Sequence, residues 1–72
     1  MSTVDKVTAD KVIAGAFPED DIVAIIKYNN MFNGEEAYKL IFGRRKDSIQ
    51  WILDGKEPAL LNPSIYWKKE DK

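Results

Sequence analysis

"KVIAGAFPEDDIVAIIKY", residues 11–28, is two apolar runs joined by an acidic knot that opens on proline. The β-branched pair Val12 and Ile13, with Gly15 close behind, suits a strand better than a helix, and Pro18 ends the run. "PEDD" (18–21) supplies a proline and carboxylates for a tight connection. "DIVAIIKYN" (21–29) is then apolar on both faces of its pleat, as expected of a central strand covered on two sides. The stretch predicts a β-hairpin.

Downstream, Asn33-Gly34 is the strongest short turn signal, since both residue types accept positive φ. "EEAYKLIF" (35–42) follows, with Tyr38, Leu40 and Phe42 on one face and Ala37, Lys39 and Ile41 on the other. After Gly43 the period changes. Asp47 is an N-cap with Gln50 three residues on, Ile49, Ile52 and Leu53 fall at helical spacing, and Gly55 stands where a C-terminal glycine belongs. This predicts a short helix over 47–54, although Ile49, Trp51 and Leu53 also alternate as in a strand. "GKEPALLNPS" (55–64) holds two prolines and reads as a loop, and "SIYWKKEDK" (64–72) as a tail with three large apolar residues before a charged end. The expected fold is α+β: a three-stranded antiparallel curled sheet, an SH3-like partial barrel, with one C-terminal helix across it. Residues 1–9 are expected to be a flexible start, 10–67 the domain and 68–72 a charged tail.

At 72 residues a single core gives only marginal stability, so a partner or second copy would help. With no cysteine and no histidine, neither a disulfide nor the commonest metal ligands can staple the fold, and the usual general base and best nucleophile are missing. Ser2, Ser48 and Ser64 sit in no activating motif, so the chain reads as non-catalytic, with no cofactor and no metal. Glu19, Asp20 and Asp21 lack the ligand spacing and turning glycine of a calcium loop and read as a solvated hairpin tip. A net charge of -1 gives no overall drive toward nucleic acid or an anionic membrane. The first apolar stretch is too short to span a bilayer, and Asp5, Lys6 and Asp10 spoil a signal peptide, which points to a soluble intracellular protein.

Three surface readings remain. Arg44, Arg45 and Lys46 offer a local phosphate contact, although a short basic run is more often a solvated loop. Tyr28, Tyr38 and Phe42 offer an aromatic cage for methyl-lysine, although aromatics on strand faces are more often core. On a helix over 47–54, Trp51 projects nearly opposite the Ile49, Ile52 and Leu53 stripe. Either the chain's own tail, through Ile65, Tyr66 or Trp67, folds over it, or another protein does.

The order of elements resembles the chromodomain superfamily, and "KVIAGAFPEDDIVAIIKY" is similar to the opening of the chromo shadow domain of heterochromatin proteins. In that family a Lys-Ile-Ile strand, a polar turn and an apolar strand ending in Lys-Trp occupy the same length. Lys11, Val12, Ile13 and then Lys27, Tyr28 take those places here, and "EEAYKLI" (35–41) resembles the third strand. In a second register "VAIIKYNNMFNGEEAYKLIF" (23–42) resembles the first two strands of an ordinary chromodomain, with Phe42 at a cage position and Asp21 and Arg44 near the other two. The resemblance implies a nuclear interaction module of chromatin that pairs through its C-terminal helix as a homodimer and clamps an extended partner peptide by strand addition. By position, Trp51 and Ile52 would lie at the helix pair, and Ile65 and Trp67 would contact the peptide. A histone tail is the partner that the second register implies.

Overall fold

The computed structural model describes residues 3–15 and 21–69. In chain order these form β1 (Thr3–Val4), α1 (Lys6–Ile13), β2 (Ile22–Asn30), β3 (Glu36–Phe42), a 3-10 turn (Gly43–Arg45), α2 (Ser48–Leu53) and β4 (Leu60–Lys68). The strands make one antiparallel sheet in the order β1-β3-β2-β4. The class is α+β as expected, but with a fourth strand and a second helix.

Strand β2 carries the core. Ile25 faces one side, where it packs with Tyr38 and with Ala9 of α1. Ala24 and Ile26 face the other, where they pack with Ile41 and with Ile52 of α2. Ala24, Ile25 and Ile26 are all fully buried, which is what the unbroken apolar run of β2 demands. One helix therefore covers each face of the sheet.

The helix α1 corrects the reading of residues 11–17 as a first strand and of 1–9 as a flexible start. Asp5 caps it, its Oδ1 accepting the Thr8 N–H at 2.9 Å. Gly15 follows its C-terminal end at φ +85°, a conformation that costs a residue with a Cβ. Between these stops, Ala9 and Val12 fall one turn apart and both face the sheet, while Val7 and Ile13 are exposed. The β-branched residues argue for a strand, but burial of Ala9 against Ile25 and Tyr38 overrides that propensity. The expected hairpin connection at Pro18, Glu19 and Asp20 lies outside the described residues, and Asp21 leads directly into β2.

The β2–β3 hairpin forms as expected, closed by Asn30 N–H to the Glu35 carbonyl at 2.8 Å and by Gly34 N–H to the Asn30 carbonyl at 2.7 Å. Only Gly34 (φ +71°) of the Asn33-Gly34 pair takes positive φ. Asn33 instead uses its side chain, Oδ1 accepting the Glu35 N–H, and Asn30 Oδ1 accepts the Phe32 N–H in the same way. The turn thus holds itself, with Met31 and Phe32 left in solvent. Helix α2 also forms where expected, without a side-chain cap from Asp47. Its end is a Schellman motif: Gly55 (φ +77°) donates to the Ile52 carbonyl and Lys56 to the Trp51 carbonyl.

The expected loop and tail after residue 55 instead contain β4, which pairs with β2. Two irregularities hide this strand from a period-2 reading. Near Asn62 (φ +50°) and Pro63, Lys27 pairs with Ser64 but Asn29 pairs with Leu61, so β4 spends an extra residue. Further on, Ile25 and Ile26 pair with Trp67 and Ile65, leaving Tyr66 as the extra residue. That bulge lets Tyr66 and Trp67 both reach the α1 side. There Tyr66 stands edge-on to Tyr38 with ring centroids 4.7 Å apart. Its hydroxyl donates to Asp10 Oδ1 at 2.6 Å, tying β4 to α1.

This bond pushes the Tyr66 hydroxyl up to about 12 from 10.0, through the hydrogen bond itself first and then through desolvation and the Asp10 charge. The same bond holds the Asp10 carboxyl below its ordinary value. A raised tyrosine contributes stability that is whole below its unfolded value of 10.0 and is lost toward about 12, whereas a depressed carboxyl contributes above its unfolded value of 3.8 and fades as acid protonates it. Tyr66→Phe is expected to lower the urea midpoint at neutral pH. The gap between wild type and variant should narrow at both the acidic and alkaline ends of a pH series of unfolding curves.

Candidate functional site

Strand β1 pairs with β3 through Thr3 opposite Lys39 and Val4 opposite Tyr38. A cleft of about 450 Å³ lies between β3 and α2. Ile41, Phe42, Trp51 and Glu57 line it, and Lys39, Arg44 and Arg45 bring cationic side chains to it.

Local chemistry fixes each wall. The 3-10 turn after β3 is locked by Lys46 N–H to the Gly43 carbonyl at 3.2 Å and by the Ser48 hydroxyl donating to the Arg45 carbonyl at 2.7 Å. That turn holds the backbone of Arg44 and Arg45 at the end of β3, with both residues exposed. Neither makes an ion pair with a described residue. On α2, Ile52 faces the sheet at 3% exposed, so Trp51 turns outward and stays 52% exposed. Lys56, placed by the Schellman turn, sets its ammonium 5.4 Å from the Trp51 ring centroid, a cation–π distance.

The remaining candidates are dispersed. Tyr38 packs on the α1 face with Ala9, whereas Tyr28, one step from the partner of Tyr38 in the ladder, faces the other side, its hydroxyl 3.4 Å from Thr3 Oγ1. Phe42 lies at the far end of β3, so these three aromatics do not converge on one cage. Ile52 is core, and of the helix pair only Trp51 offers area to a second chain. The tail does not cover Trp51, because Ile65 and Trp67 lie in β4 on the other side of β2 from β3. Ile65 is exposed there and Trp67 packs beneath α1. Glu19 and Asp20 lie outside the described residues, and no group of three acidic side chains among the described residues is placed to hold a metal. No helix among them is long and apolar enough to cross a membrane.

Sequence reasoning singled out Trp51, Arg44 and Arg45 but assigned them to separate surfaces. The cleft that joins them was missed, since it forms only where α2 is set beside β3. The roles of neighbouring residues on α2 separate cleanly by mutation. Ile52→Ala is expected to cost about 2–5 kcal/mol by urea unfolding, and Trp51→Ala no more than about 1 kcal/mol, the scale of an exposed cation–π contact. Comparison with protein-family models, with curated proteins and with solved structures returns no match to this chain.

Proposed function

We propose that this chain is a non-catalytic protein-interaction module that takes up an extended segment of a partner in the cleft between β3 and α2. The observation that carries this reading is the half-exposed Trp51 in that cleft, beside Ile41 and Phe42. An exposed tryptophan at a cleft supplies the anchor that peptide contacts need for affinity. The β4 edge of the sheet is guarded against strand addition. Strand β4 interrupts its ladder with two bulges, carries Pro63 without an N–H, and ends in Lys68. The resemblance to chromo-type modules supports uptake of an extended peptide, with the contact moved from the tail to the cleft.

Self-association through α2 is a second reading, favoured by the exposure of Trp51. It predicts a dimer in sedimentation that Trp51→Glu converts to a folded monomer. For peptide uptake at the cleft, random dodecapeptides displayed on phage are selected against the immobilised chain and the winners are titrated into isotopically labelled protein. Amide shifts at Leu40, Ile41 and Phe42 together with the Trp51 indole are expected. Shifts confined to β4, or no enrichment over bare resin, would sink the proposal.

A further inference from the structure

We infer that Asn33 is a site of spontaneous modification, deamidating through a cyclic imide with Gly34, and that the folded turn gates the reaction. In this chemistry the Gly34 amide nitrogen gives up its proton and bonds to Asn33 Cγ, and the Cγ–Nδ2 bond breaks. The side-chain nitrogen leaves as ammonia, taking that proton with it. Water then opens the imide at one of its two carbonyls, giving aspartate or isoaspartate. Glycine after the asparagine favours ring closure, because it sets no Cβ against the forming ring. Of the asparagines in the chain, only Asn33 precedes glycine. Asn62 precedes Pro63, whose nitrogen carries no proton to lose. Asn29 and Asn30 precede bulkier residues, and the amides that follow them are held, Asn30 N–H by the Glu35 carbonyl at 2.8 Å and Met31 N–H by the Ala59 carbonyl at 3.4 Å. Asp54-Gly55 offers the same ring, but a carboxylate repels the attacking nitrogen, and Gly55 N–H is held by the Ile52 carbonyl at 3.0 Å.

Asn33 and Gly34 are both exposed at the tip of the β2–β3 hairpin, so water reaches them. The native turn nevertheless withholds both reacting groups. Gly34 N–H donates to the Asn30 carbonyl at 2.7 Å, an acceptor that cannot take the proton, so the nitrogen is kept in its unreactive protonated form. Asn33 Oδ1 accepts the Glu35 N–H at 2.9 Å, which fixes the side-chain amide, and Asn29 Nδ2 donates to the Gly34 carbonyl at 3.3 Å. Attack needs the freed nitrogen aimed at Cγ from close range, so the turn must open first. The rate then follows the population of the opened turn. The bond from Phe32 N–H to Asn30 Oδ1 at 2.8 Å helps to keep that population small. The product acts back on the turn. Isoaspartate lengthens the main chain by one carbon between Asn30 and Gly34, which destroys the register of their hydrogen bond and leaves the hairpin unlatched.

The test incubates the full chain at neutral pH and body temperature beside an end-capped peptide of residues 28–39, which has the same sequence without the rest of the sheet. Mass spectrometry of proteolytic fragments follows each asparagine and separates aspartate from isoaspartate. Asn33 is expected to convert ahead of every other asparagine in both samples, and at least roughly tenfold more slowly in the chain than in the peptide. Asn30→Ala, which removes the bond to Phe32 N–H, should speed conversion of Asn33 roughly three- to tenfold, the worth of one turn hydrogen bond. Asn29→Ala, which removes the bond to the Gly34 carbonyl, should act in the same direction and serves where the first variant fails to fold by circular dichroism. Equal rates in chain and peptide, or folded variants no faster than wild type, would overturn the gating. Earlier conversion at Asn29, Asn30 or Asn62 would overturn the assignment to Asn33. No conversion of Asn33 in the peptide, or none in the chain and in its folded variants, would overturn the site altogether.

Discussion

The structure depends on one strand that has no polar face. In β2 the residues from Ile22 to Ile26 are apolar without a break, and four of the five are buried. A strand of that kind in a small antiparallel sheet cannot rest against water on either side. It needs a cover on each, and the chain supplies α1 from before it and α2 from after it. Neither helix is long, and neither would hold alone in water. Their stability comes from the burial of Ala9 and Ile52 against the same strand.

From that constraint the surface follows. The four buried core residues on the α2 side are Ala24, Ile26, Ile41 and Ile52, so Ile52 is committed inward and Trp51 must turn out. On the α1 side the bulge at Tyr66 brings two aromatics to cover what a short helix cannot, and the Asp10 carboxylate anchors them. Covering β2 on both faces does nothing for the edges. One edge is β4, irregular and carrying proline. The other is β1, which pairs with β3. The tryptophan that core packing had already expelled stands at the cleft between β3 and α2.

Much of this was legible in residue order, and the exceptions have physical causes. The two-sided apolar run of β2, the alternation of β3, the turn at Gly34 and the helix ending at Gly55 each have a local signature that tertiary packing did not overrule. Helix α1 was misread because Val12 and Ile13 look like strand residues, and because the exposed Val7 and Ile13 blur the helical stripe. Its stops were nevertheless written in Asp5, Thr8 and Gly15. Strand β4 was masked by Asn62 and Pro63, whose bulge breaks the alternation that would have marked it. The exposure of Trp51 could be read from a helical wheel. The cleft could not, since it forms where α2 is set beside β3, and no residue in the sequence announces that placement.

The order β1-β3-β2-β4 also has a kinetic side. Only the central β2–β3 pair is local in the chain, joined by a turn that carries its own side-chain hydrogen bonds. Both outer strands find their partners across long stretches of sequence: Thr3 reaches Lys39, and Lys68 reaches back to Ala24. Each of those pairings closes a large loop, and loop entropy must be met before its contacts give anything back. The hairpin is therefore the natural nucleus, and the outer strands are the parts of the sheet with the least local support. In the native state the same asymmetry makes opening cheapest at the sheet margins, so the pairing of β3 with β1 is among the first parts of the sheet to part.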